Sequence, residues 1–273
     1  MREHAIESSP ARGDIREQPT WRLSWVISDT LVMTKRNLKR YVRLPQLLIF
    51  STIQPVMFVL LFTYVLGGAI STPGVDYINF LIPGVLIQSV IFGSSMTSVG
   101  LAEDLNKGMI DRFRSLPMSR GAVMAGRTLA DTTRNAFVAF LMLGVGMLIG
   151  FRYQDGLLKA LAAIGLVILF GYAFSWISAF IGLVTKNPET AQVAGMIWVF
   201  PLVFASSVFV PVESMPSWLQ AFTEVQPISV TADTVRALML GTPIENFWYM
   251  LAWMIGILLV FIPLSVRQYR QLT

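Results

Sequence analysis

Apolar positions come in long blocks in this chain: six stretches carry no Asp, Glu, Lys or Arg, at residues 44–75, 77–102, 135–151, 160–185, 190–212 and 246–266. A helix that crosses a bilayer needs about 20 mainly apolar residues to match a hydrocarbon core of roughly 30 Å. Five of the stretches reach that length, and the third does so if its helix starts earlier, near Gly121. The pattern predicts an all-α polytopic membrane protein with six transmembrane helices.

The segments between the blocks have patterns of their own. Over residues 20–43, Leu23, Ile27, Leu31, Thr34, Leu38 and Val42 recur at three- and four-residue steps, with Lys35, Arg36, Lys39, Arg40 and Arg43 largely off that stripe. This predicts an amphipathic helix lying in the membrane interface, its basic residues near anionic headgroups. Residues 103–116 mix charges with Leu105, Met109, Ile110, Phe113 and Leu116 at helical spacing, up to a stop at Pro117. Arg127, Asp131 and Arg134 follow at four- and three-residue spacing, which allows local ion pairing as the third helix begins. In residues 214–241, Ser217 with Gln220 fits a capping box, Pro227 a break and Gly241 a C-terminal stop. Two short external helices that dip toward the membrane between the fifth and sixth spans are therefore expected, covered by protein or a water-filled cavity.

Charge orients the frame. Eighteen of the 21 Lys and Arg fall before the first span, between the second and third, at Lys186 and in the C-terminal end. Only Arg152, Lys159 and Arg236 fall on the other side, against six acids. The basic side is expected to be the cytoplasm, with both termini inside. Trp21, Trp25, Tyr41, Tyr77, Tyr153, Trp218, Trp248, Tyr249 and Tyr269 lie near span ends, where interfacial aromatics belong. Composition agrees: 54% of residues are hydrophobic, 14% are charged, and mean hydropathy is +0.62. Residues 1–19 read as a mobile cytoplasmic tail without a signal peptide, and residues 20–273 as one transmembrane domain.

Candidate chemistry is sparse. There is no cysteine, the single histidine is His4 in the tail, and no phosphate-cradling G-x-x-x-x-G-K-[ST] run occurs. Thiolate catalysis, His-pair metal sites and ATP hydrolysis by such a loop are excluded, so the chain is expected to be neither an enzyme nor a metal binder. No Asp, Glu, Lys, Arg or His lies within the six blocks, which argues against a proton- or ion-coupled carrier. An intramembrane enzyme would have only neutral groups such as Ser94, Ser95, Ser206 and Ser207 to work with. A non-transporting membrane anchor or assembly protein is the alternative to a transporter.

Several pieces, in order, resemble the permeases of type-2 ATP-binding-cassette exporters, particularly the bacterial daunorubicin-resistance-like branch. They are Leu81-Ile82-Pro83-Gly84, the Glu103 to Arg120 stretch ending Leu116-Pro117-Met118-Ser119-Arg120, and Phe209-Val210-Pro211-Val212-Glu213-Ser214-Met215-Pro216-Ser217-Trp218-Leu219. Gln226-Pro227-Ile228-Ser229, Val235-Arg236-Ala237-Leu238 and the basic end Val266-Arg267-Gln268-Tyr269-Arg270 complete the series. Gln226 stands where the family more often has Asn.

The resemblance implies a multi-pass protein of the bacterial plasma membrane that pairs with a second permease subunit, identical or homologous, and two copies of a cytoplasmic ABC ATPase. ATP and magnesium would sit on that ATPase, with no cofactor in this chain. Residues 103–116 would couple to it, through Glu103, Asp104, Lys107, Asp111, Arg112 and Arg114. The external helices would close the outer mouth, with Pro216, Trp218, Phe222 and Pro227 as gate candidates. Cargo would be an amphiphilic drug or lipid-like compound. Candidates for its path are Phe58, Phe62, Phe92, Met96, Trp198 and Phe204, each of which also reads as a packing or lipid-contact residue.

Overall fold

The computed structural model describes residues 23–43, 45–70, 72, 74–109 and 120–271. Among them are nine α-helices and no strand: α1 (Leu23–Arg43), α2 (Pro45–Leu60), α3 (Tyr77–Asn106), α4 (Arg120–Ile149), α5 (Gly156–Thr185), α6 (Pro188–Phe204), α7 (Ser217–Thr223), α8 (Pro227–Leu240) and α9 (Phe247–Gln271). A π-helical turn, Leu61–Leu66, prolongs α2, and a 3-10 turn, Val212–Ser214, precedes α7. Four helices, α3, α4, α5 and α9, are long and apolar enough to cross a membrane. The expected first and fifth spans appear as shorter apolar helices, α2 and α6.

The third helix begins at Arg120, close to the expected start. That early start carries Arg127, Asp131 and Arg134 into the bundle, although the uncharged block begins only at Asn135. This helix therefore carries three buried ionisable residues beyond its uncharged block. Residues 103–106 close α3; Lys107 caps it and Gly108 turns the chain with φ +62°. Residues 110–116 of the expected 103–116 helix, and 117–119 after it, lie outside the described residues.

Helix α3 is the axis of the fold. Its window of membrane length is 94% buried, and α2, α4, α5, α6 and α8 all pack on it. In lipid, helix association depends on close van der Waals fit and interhelical hydrogen bonds, because lipid tails are as apolar as Leu. The fit is visible at Gly84, where an added Cβ would collide with the backbone carbonyl of Val208. A hydrogen bond from Ser94 Oγ of α3 to Gly171 O of α5, 2.8 Å, adds a polar tie.

Helix α1 lies along α4 and buries Met33, Asn37 and Tyr41. Ile27, Leu31 and Val42, on the expected apolar stripe, are exposed on its outer side. A second cluster joins five helices at the basic end: Met33, Leu101, Val123, Met124, Trp176, Leu183 and Tyr269.

The loops follow local chemistry, with one correction. Lys186 ends α5 in the left-handed region, and the Asn187 side chain accepts from the N–H groups of Glu189 and Thr190 to start α6. The Ser217–Gln220 capping box does not form. Pro216 occupies the cap, and the Gln220 amide donates instead to the carbonyl of Met215, 2.8 Å away. Pro227 opens α8 at its first turn and Gly241 closes it at φ +77°, as expected. Helix α8 is deeply inserted against α3, α5 and α9, so protein covers the chain break before it.

Candidate functional site

Three neighbouring features could serve transport: a buried polar cluster, a cavity beside it, and a column of phenylalanines leading away from it. The cluster grows from the spacing on α4, where residues 127, 131, 134 and 135 follow one helical side. Asp131 is fully buried at the centre. It accepts from the Tyr41 hydroxyl of α1, from Thr97 Oγ1 of α3 at 2.5 Å, and from Arg127 Nε at 3.4 Å. Arg127 reaches on to Asp104 of α3, 3.5 Å away. Gly100 leaves room for this arginine; a Cβ there would overlap its guanidinium.

Arg134 completes the cluster. It donates to the Gly93 carbonyl, to Asn135 Oδ1 at 3.0 Å and to the Tyr41 hydroxyl at 3.3 Å. Asn135 in turn donates to Ser94 Oγ, 3.1 Å away, which joins the cluster to the tie between α3 and α5. Burial, reinforced by the Asp131 charge, pushes the Tyr41 phenol up to about 12, so it stays protonated and donates to the carboxylate. At the rim, Arg40 pairs with Glu103 at 2.5 Å and Lys107 with the same carboxylate at 3.2 Å.

The coupling candidates Glu103 and Asp104 thus belong to pairs within the chain, while Lys107 points outward, its side chain 65% exposed. Asp111, Arg112 and Arg114 lie outside the described residues. Tyr41, an interfacial aromatic by its position in the sequence, is instead a buried donor to the cluster. The i, i+4 spacing of Arg127 and Asp131 was the available signal for the cluster, but sequence does not reveal which other helices close around it.

The cavity, about 250 Å³, lies among α1, α2, α3, α4 and α6. Arg40, Arg127, Arg134 and Gln88 supply its polar wall; Pro55, Phe92, Met96 and Met196 supply its apolar one. Two of the six path candidates, Phe92 and Met96, line it, and Phe204, Phe62 and Phe58 are joined to Phe92 through a column of rings. Phe92 meets Phe200 edge-on with ring centroids 5.2 Å apart, and Phe200 stacks on Phe204 at 5.8 Å. Phe204 continues to Phe209 at 5.3 Å, which stacks on Phe62 at 4.3 Å, with Phe58 flanking both. Phe200 and Phe209 were not among the candidates, although Phe200 lies one helical turn from Phe204. Trp198 takes another side of α6 and stacks on Phe174 of α5 at 5.7 Å.

At the opposite end, Pro216 caps α7 and Pro227 starts α8, while Trp218 and Phe222 are exposed. Sequence reading missed what holds this pair of helices. Gln226 Nε2 donates to the carbonyls of Leu202 and Ala205, at 3.0 and 2.8 Å, joining the end of α6 to the start of α8. Trp253 of α9 donates to the Val225 carbonyl between them, 2.9 Å away. No group of His, Cys, Asp and Glu suited to a metal ion occurs among the described residues.

Four membrane-length apolar helices packed into one bundle with buried polar ties are the frame of a multi-pass membrane protein. The family model described as ABC-2 type transporter matches residues 28–240. A daunorubicin resistance ABC transporter permease of Streptomyces coeruleorubidus is 36% identical, over 97% of this chain and 96% of its own length. A probable doxorubicin resistance ABC transporter permease of Mycobacterium tuberculosis is 29% identical over 90% of each chain. A probable multidrug ABC transporter permease of Escherichia coli is 23% identical, over 62% of this chain and 45% of its own. The chain belongs to the ABC-2 type transporter family, and it is a multi-pass membrane permease subunit. Membership implies association with an ABC ATPase subunit.

Proposed function

We propose that this permease exports an amphiphilic small molecule, drug or lipid-like compound from the bacterial cytoplasm or inner leaflet, driven by ATP and magnesium on a separate subunit. Two permease subunits and two ATPase subunits make the working complex. In this reading α2 with its π-helical turn, and α6, join the four longer helices as six spans, with both termini cytoplasmic. Helix α1 rests in the inner interface, and α7 and α8 form the external re-entrant pair that gates the outer mouth.

The observation that carries the reading is the phenylalanine column from Phe92 to Phe62, which leads from the cavity toward the far end of the bundle. Aromatic faces offer contact area without imposing one hydrogen-bond pattern, which suits cargo of variable shape. The relatives named for daunorubicin and doxorubicin resistance support a drug-like cargo. Coupling is assigned to the C-terminal end of α3 and the residues after it, through Glu103, Asp104, Lys107, Asp111, Arg112 and Arg114.

The deciding experiment is ATPase activity of the reconstituted permease with its ATPase partner, measured against a panel of anthracyclines and lipid-like amphiphiles. Stimulation by amphiphiles that Phe204→Ala reduces is the expected result. An ATPase rate indifferent to every compound would reject export in favour of an anchor or assembly role.

A further inference from the structure

The bonds of the polar cluster form a ladder between two antiparallel helices. Arg134 of α4 donates to the Gly93 carbonyl of α3, Asn135 donates to Ser94 Oγ at 3.1 Å, Thr97 donates to Asp131 at 2.5 Å, and Arg127 meets Asp104 at 3.5 Å. Arg127, Asp131 and Arg134 are buried. Helix α1 is fastened to the same ladder: Tyr41 donates to Asp131 and accepts from Arg134, and Met33 packs so close to Gly126 of α4 that a Cβ there would collide with it. A slip of α3 against α4 would part several of these bonds at once, and each buried group left without a partner is costly. The three helices are therefore bound in a single register.

Contacts across the cavity are of another kind. Helix α6 meets α3 through Phe200 and Phe92, edge-on at 5.2 Å, and through a longer bond from Ser98 Oγ to the Ala191 carbonyl, 3.3 Å. Helix α2 meets α6 through Phe58 and Phe204, with ring centroids 6.4 Å apart. The hydrophobic effect that holds rings together has no fixed direction, so such contacts tolerate sliding. The cavity lies on this boundary. Tyr41, Gly93, Arg127 and Arg134 line it from the ladder side, Pro55 and Met196 from the other.

We propose that α1, α3 and α4 move as one body when the ATPase acts, and that Arg127 is the positioning residue that makes α4 follow α3. Displacement of the C-terminal end of α3 reaches Arg127 through Asp104, passes to Asp131, and goes on through Tyr41 to α1. The cavity changes shape because this body slides against α2 and α6. The relay rests on the assignment of the α3 end as the ATPase contact and needs nothing from cargo, so it stands or falls separately from the export reading.

The test measures distances by double electron–electron resonance in the permease–ATPase complex in nanodiscs, first without nucleotide and then with ATP, magnesium and vanadate. The chain has no cysteine of its own, so Val42→Cys, Thr133→Cys and Val193→Cys can carry labels on α1, α4 and α6. All three positions are exposed. Labelled chains are diluted into unlabelled ones, so that each complex holds one labelled copy. The α4–α6 distance, Thr133 to Val193, is expected to shift on trapping by more than about 2 Å, beyond a small helix shift, while the α1–α4 distance, Val42 to Thr133, shifts by less.

Arg127→Met should remove the α4–α6 shift, while Asp131 keeps Tyr41, Thr97 and the nearby Arg134 charge. Gly100→Ala is the second variant, and it decides alone if Arg127→Met fails to insert. Its Cβ would overlap the guanidinium and turn Arg127 away with the charge retained, so the shift should fall here too. Arg127→Lys should restore part of it, since an ammonium lacks the fork but keeps the charge. A packing role alone would change melting temperature and leave the trapping shift as in the parent. That result would overturn the proposal, as would a parent α4–α6 distance that does not move or an α1–α4 distance that moves as far. A shift abolished by Arg127→Met but untouched by Lys107→Glu would keep the relay and take Lys107 out of the ATPase contact.

Discussion

Arg236 of α8 lies over the ring of Phe80 of α3, its guanidinium carbon 3.7 Å from the ring centroid. The same side chain donates from Nε to the Phe80 carbonyl at 3.1 Å and from Nη2 to the Ser207 carbonyl at 2.8 Å, and it pairs with Asp233. One planar group thus joins α8 to α3 and to the irregular stretch after α6. Lysine has the charge but not the fork.

Arg236→Met is therefore expected to lower stability by about 2 kcal/mol or more, from the lost cation-π contact and the charge-assisted bonds together. Arg236→Lys should fall between the two, since one ammonium cannot reach all the acceptors. Melting of the detergent-solubilised chain measures both. A lysine variant as stable as the parent would show that charge alone suffices.

The buried Arg127–Asp131 pair gives a second expectation. Removing the buried carboxylate leaves Arg127 only its longer contact to Asp104, at a cost of up to about 3–5 kcal/mol, whereas replacing both partners of a buried pair by apolar residues is often close to neutral. Asp131→Leu should therefore impair folding more than the double variant Arg127→Met with Asp131→Leu. Tyr41 and Thr97 lose their common acceptor in either case, so recovery will be partial. Folded yield of the three variants in one membrane preparation decides; no recovery in the double variant would show the pair to be subordinate to the Tyr41 and Thr97 bonds.

These expectations mark where sequence reading succeeded and where it stopped. Charge-free blocks and helical periodicity located α1, α3, α5 and α9 because bilayer length and amphipathic spacing are local properties of the chain. Pro227 and Gly241 bounded α8 because backbone geometry at those positions is also local. The charge-free criterion missed the depth of Arg127, Asp131 and Arg134, since it cuts a helix at its first charge and cannot see Tyr41 and Thr97 arriving from two other helices. Gln226 and Ser217 show the same limit at the loops. Gln226, where the family more often has Asn, reaches two carbonyls at the end of α6, and Gln220 reaches back to Met215 where the sequence offers a Ser217 cap.

Coupling to the ATPase needs a variant that leaves the fold intact. Reversal of Glu103 and Asp104 does not qualify, because it breaks their pairs with Arg40 and Arg127. Lys107→Glu does: its pair with Glu103 is solvent-exposed and worth about 0–1 kcal/mol. The expected outcome is normal insertion with reduced cargo transport and reduced co-purification of the ATPase. Parent-level transport would remove Lys107 from the contact.

Orientation is open to chemical labelling, since the chain contains no cysteine of its own. Ser214→Cys, before α7, should react with an impermeant thiol reagent in intact cells, and Glu189→Cys, at the start of α6, should react only after lysis. Both positions are exposed, so access to the side chain is not limited by packing. Reaction of Glu189→Cys in intact cells would invert the proposed topology.

The outer gate rests on the contrast between two tryptophans. Trp218 projects from α7 with 73% of its surface exposed, while Trp253 of α9, 42% exposed, donates to the Val225 carbonyl in the joint between α7 and α8. A ring that only anchors the chain at the headgroup level should affect insertion and leave each inserted complex equally active. A ring that helps to seal the mouth should do the reverse. Trp218→Ala is therefore expected to insert normally and to lower efflux per complex, with Trp218→Phe closer to the parent because it keeps most of the apolar area. Trp253→Phe removes one hydrogen bond, about 1 kcal/mol, and loosens the joint without removing the ring. If the α7–α8 pair moves as a gate, that change should alter efflux more than melting temperature. Efflux per inserted complex, unchanged in Trp218→Ala and Trp253→Phe alike, would leave α7 as an interfacial anchor and the gate elsewhere.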